Sequence, residues 1–89
     1  MSNAPDAISQ ASVQALLGDL RHVIDKTEPP EWPKLASDVL VHHTPPIDDD
    51  LLSPKSRDLQ KWCRTMLEAM VDADKEGVRA AALKVKQYS

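Results

Sequence analysis

The chain has 89 residues, 42% of them hydrophobic and 28% charged, with a formal net charge of −3; such values suit one globular domain with a modest core. One cysteine and 2 glycines exclude an internal disulfide, a Cys-rich zinc site and a glycine-rich phosphate loop. No apolar run approaches the roughly 18 residues of a membrane span, and residues 1–6 show neither the basic flank nor the apolar stretch of a secretory signal.

The first element is expected to be a helix over residues 5–26, with Asn3 as cap, Pro5 in the first turn and Asp6 near the positive end of the dipole. Val13, Leu17, Leu20 and Ile24 fall at i, i+4, i+7 and i+11, a helical stripe that Leu16 and Val23 widen. Gly18 inside it is either a tolerated surface glycine or a point of close helix approach. Glu28-Pro29-Pro30 ends this helix, because a residue before proline leaves the α region. A second helix is expected over 31–43, with Trp32, Leu35, Ala36, Val39 and Leu40 on one face. Residues 44–53 read as an acidic, proline-bounded loop with Ile47, Leu51 and Leu52 as apolar anchors. Ser53-Pro54 is the sharpest local signal, an N-cap serine followed by proline at the first helical position. It opens a third helix over 54–72, whose face carries Leu59, Trp62, Cys63, Met66, Leu67 and Met70, with Trp62 and Cys63 expected in the core. A break near Asp72–Asp74 is favoured over one long helix to Tyr88. Asp74 caps a fourth helix over 74–88, and Val78, Ala81, Ala82 and Val85 start a new stripe. No segment alternates like a strand and no hairpin turn signal occurs. The expected fold is all-α, a small antiparallel bundle of three to four helices.

Charge is unevenly distributed. Residues 1–52 hold 3 basic and 9 acidic side chains; residues 53–89 hold 8 basic and 5 acidic. Arg57, Lys61 and Arg64, at i, i+4 and i+7, form a basic stripe on the third helix. Lys55 and Arg57 sit at its positive end, so the helix dipole does not explain them. They either pair with Asp48–Asp50 or meet an anionic partner. The net acidity argues against non-specific nucleic-acid binding, which needs phosphate neutralisation. His42-His43 beside the three aspartates is the only His/carboxylate cluster along the chain. Adjacent helical residues point about 100° apart, and only His22 remains elsewhere, so no metal site is expected. Cys63 reads as a buried small hydrophobe rather than a reactive thiol. No nucleophile elbow or catalytic triad signature appears.

The stretch Asp74-Lys75-Glu76-Gly77-Val78-Arg79-Ala80-Ala81-Ala82-Leu83-Lys84-Val85-Lys86 resembles the hairpin of histidine-phosphotransfer domains, an acidic turn followed by an Arg/Ala-rich helix. Leu83 stands where that family carries its phosphorylated His, and Gln87 where it carries a Gly. The resemblance would imply a bundle that cannot accept phosphate.

The residues point to a small cytoplasmic, non-enzymatic helical protein, an adaptor, inhibitor or regulatory binding module without cofactor. The expected partner is another protein, met by Arg57, Lys61 and Arg64 together with Leu16 and Val23 as exposed members of the wide first-helix face. A regulatory nucleic-acid-associated protein using the same basic stripe is the alternative; a small catalytic or metal-dependent unit at His42 and His43 is a third. The apolar faces exceed what a lone bundle of this length is expected to bury, which predicts a homodimer.

Overall fold

Asp6 is the first structural signal of the computed structural model, which describes residues 6–89. Its backbone is extended and its carboxylate accepts from the Ser9 N–H and the Ser9 hydroxyl, both at 2.8 Å. These two hydrogen bonds hold the Asp6 carboxyl below its ordinary range. Asp6 therefore caps α1 (Ala7–Lys26), rather than lying inside its first turn. The expected cap Asn3 and Pro5 lie outside the described residues.

Pro29–Glu31 forms a tight 3₁₀ turn that leads into α2 (Trp32–His42), with Pro33 in its first turn. His43 is the residue after α2 and has left the helical conformation (φ −105°, ψ 32°). The acidic segment contains one 3₁₀ turn, Asp49–Leu51. Ser53 caps α3 (Pro54–Val71) by accepting from the Ser56 N–H at 3.2 Å, as the Ser-Pro signal requires.

The helix does break after Val71. Ala73 takes a left-handed φ of 55°, and the N–H groups of Ala73 and Asp74 return to the carbonyls of Met70 and Ala69. Such a turn satisfies carbonyls that the helix end would otherwise leave open. Asp74 then caps α4 (Lys75–Tyr88) through the Gly77 N–H at 3.0 Å. A Cβ on Gly77 would stand 2.4 Å from that capping carboxylate, so the cap needs glycine there. Gly18 differs: a Cβ there meets nothing within 4 Å, which settles it as a surface glycine.

The result is an all-α bundle organised around α3. That helix carries the centre of the core in Leu59, Cys63, Met66, Leu67 and Met70, and α1, α2 and α4 all pack on it. Each large side chain buried this way contributes about 1.5–3 kcal/mol. Helices α1 and α4 lie against α3 but barely meet each other. No described helix is long and apolar enough to cross a membrane.

Two expectations about exposure are corrected. Leu16 and Val23 are 2% and 3% exposed, because α2 and α3 both pack against α1 and take up its wide face. Neither residue is an available surface; the large apolar side chains left exposed are Ile8, Val41, Leu51 and Leu83. Trp62 is half-buried rather than in the core; the ammonium groups of Lys61 and Lys84 stand 5.4 and 5.8 Å from its ring centre.

Candidate functional site

The basic stripe of α3 is largely committed within the fold. Arg64 Nη1 donates to the His43 carbonyl at 2.9 Å, satisfying an acceptor at the end of α2. Arg57 Nη2 reaches the Asp49 backbone carbonyl at 3.4 Å, not a carboxylate. Only Lys61 stays free of such a role, beside the Trp62 ring. Of the five expected binding residues, two are core, two hold loop carbonyls and one is a surface lysine.

Two glutamines with no distinguishing pattern along the chain complete this region. Gln60 is 7% exposed. Its Nε2 donates to the Ile47 carbonyl at 3.0 Å and its Oε1 accepts from the Ile47 N–H at 2.9 Å. Gln10 Oε1 accepts from the Ser53 N–H at 3.2 Å and the Ser56 hydroxyl at 2.8 Å. The Asp6 N–H adds a bond to the Leu51 carbonyl at 2.9 Å. Residues 44–53 are thus a clamped strap rather than a free acidic loop.

The opposite flank of α3 is open. Because α1 and α4 do not close on each other, a groove runs between them with Met66 as part of its floor. Ile24 and Ala82 line it from either side. Its wider part holds about 460 Å³ and is walled by Trp32, Pro29 and Val78. A narrower part of about 200 Å³ continues past Leu20 and Val85 to Ser89. The α4 wall runs for its 14 residues, about 20 Å of helix. Four cations border the groove: Arg21, Lys75, Arg79 and Lys86. No acidic side chain lines it, and none of the four cations makes an ion pair among the described residues, where His43–Asp19 is the only pair. The Trp32 indole Nε1 is buried without an acceptor.

Cys63 lies fully buried under the same helices. Burial pushes its thiol up to about 12, with the charge of Arg21 acting in the opposite direction. A thiol so protonated and enclosed is a packing group and a poor nucleophile.

The histidine pair is closer than helical geometry suggested. His43 has left the helix, so the 100° separation of adjacent helical side chains does not apply to it. The two rings meet edge to face with centroids 5.0 Å apart. Asp19 on α1, 24 residues from His43, completes a cluster with its Oδ2 at 2.7 Å from His43 Nε2.

Comparison with protein-family models, curated proteins and solved structures finds no match, and the resemblance of residues 74–86 to histidine-phosphotransfer hairpins gains no support from it.

Proposed function

We propose that this chain is a non-enzymatic protein-interaction module of the cytoplasm, which receives an acidic amphipathic helix of another protein in the α1/α4 groove. One observation carries the reading: an apolar floor bordered by Arg21, Lys75, Arg79 and Lys86 with no acidic side chain among its lining residues. An amphipathic helix laid in a hydrophobic groove buries its apolar face through residues at i, i+3, i+4 and i+7. Carboxylates along its edges would meet the four cations, steering encounter and fixing orientation. Cys63, buried and unpaired, suits a reducing compartment.

The test is a titration with a synthetic peptide carrying leucines at i, i+3, i+4 and i+7 and glutamates elsewhere. Saturable binding that Lys75→Glu with Arg79→Glu weakens at least tenfold, while Lys61→Glu leaves it unchanged, supports the reading. Binding indifferent to Lys75 and Arg79 overturns it.

The nucleic-acid alternative draws on one feature, the placing of Lys61 and Lys84 around the half-buried Trp62 ring, which combines cation and aromatic surface. A steep salt dependence of single-stranded DNA binding, lost in Lys61→Glu with Lys84→Glu, would favour it over the groove.

A further inference from the structure

We propose that Asp19, His42 and His43 form a binding site for a divalent transition-metal ion, zinc in the first place, at the junction of α1 and α2. Their ligand atoms, two imidazole nitrogens and one carboxylate oxygen, all lie within 4.8 Å of one another. Tetrahedral zinc, with bonds of about 2.0–2.1 Å, places its ligand atoms about 3.3 Å apart. The 2.7 Å contact between His43 Nε2 and Asp19 Oδ2 must open slightly, and the other separations, none above 4.8 Å, need shift by no more than about 1.5 Å. The metal takes the place of the direct contact between His43 Nε2 and Asp19 Oδ2.

The site is held where it must be rigid and open where it must exchange. The His43 side chain is 15% exposed and that of Asp19 48%. Arg64 fixes the His43 backbone through its carbonyl. His42 is exposed and has no side-chain hydrogen bond among the described residues, so its ring is free to turn toward the ion. Two imidazoles and one carboxylate are the donor set that zinc and copper accept and that calcium and magnesium do not prefer. Three protein ligands leave a fourth position to water. Bound metal ties α1 to the end of α2 across 24 residues of chain, and none of its three ligands lines the groove, so this site stands or falls independently of the docking proposal.

The test uses tag-free full-length protein and the metal alone. Zinc is titrated by calorimetry at neutral pH, and cobalt is added as a spectroscopic substitute. One equivalent of zinc should bind, with the intense visible absorption of four-coordinate cobalt. His42→Ala and Asp19→Asn should each weaken zinc binding by about 100-fold or more, since even groups behind the ligands cost 10–100-fold. His22→Ala, the remaining histidine, should leave it unchanged. Circular dichroism of each variant verifies that the helices persist. No zinc binding by the wild type, or equal losses in His22→Ala and His42→Ala, would overturn the site.

Discussion

The two flanks of α3 treat polar side chains in opposite ways. On the flank that faces residues 44–53, four long polar side chains reach backbone partners: Gln60 and Gln10 clamp the strap, while Arg57 and Arg64 hold carbonyls. On the α1/α4 flank, four cations stand around an apolar channel without pairing among the described residues. The first flank is the one that looks functional in the sequence, with its run of acids and its basic stripe. It is a structural closure. Cations that already hold loop carbonyls have little left for a partner, whereas unpaired cations beside apolar surface retain theirs.

If this contrast is right, substitutions on the two flanks should separate stability from binding. The largest effect is expected for Gln60→Ala, which leaves the N–H and carbonyl of Ile47 without partners. Urea denaturation should show a loss of about 3 kcal/mol, and a loss below about 1 kcal/mol would mean the strap is not clamped. Arg64→Ala should cost about 1.5–2 kcal/mol because a charged donor is lost at a partly buried carbonyl. Arg79→Ala on the other flank should change the unfolding midpoint by no more than surface substitutions do, within about 0.5 kcal/mol.

The glycines offer a matched pair. Alanine is the better helix former at both positions, by up to about 1 kcal/mol. Gly18→Ala, in open space, should realise that gain. Gly77→Ala should instead destabilise by about 1 kcal/mol, since its Cβ displaces the Asp74 cap. Gains at both sites would show that the cap is expendable.

A smaller effect is expected from Cys63. The unfolded thiol ionises near its ordinary 9.0, whereas the folded one keeps its proton up to about 12. Its contribution to stability is complete below pH 9 and falls as pH rises toward 12. Replacing Cys63 with Ala should flatten the decline of stability in that range, and thiol labelling of the wild type at neutral pH should proceed only as fast as the chain opens.

Local signals read well here because their physics is local. Ser53-Pro54 and Asp74 act within one turn of helix, so both caps and the break after Val71 were legible from residue type alone. The apolar stripes located the core for the same reason. Exposure was less legible: the width of the α1 face shows that it meets more than one neighbour, but not whether that neighbour is α2 of the same chain or another protein. That ambiguity placed Leu16 and Val23 on the surface. Gln60, Gln10 and Asp19 act on partners 13 to 46 residues away, and a single polar residue in a helix carries no periodic signal of such a bond. The groove had a partial signature in the spacing of Lys75, Arg79 and Lys86 beside Val78, Ala82 and Val85. What made it a groove, the failure of α1 and α4 to meet, exists only in the tertiary arrangement.

On the proposed reading, a partner sits in the α1/α4 channel and not on the stripe of α3. Trp32 walls that channel whereas Trp62 lies outside its lining, so the two indole N–H resonances report on different surfaces. The most direct measurement is a two-dimensional ¹H–¹⁵N spectrum of the whole chain during titration with the acidic amphipathic peptide. Docking in the channel should shift the Trp32 indole and the amides of Ile24, Val78, Arg79 and Ala82, with the Trp62 indole and Arg57 unmoved. Shifts confined to Lys61, Trp62 and Lys84, with the Trp32 signal fixed, would contradict it.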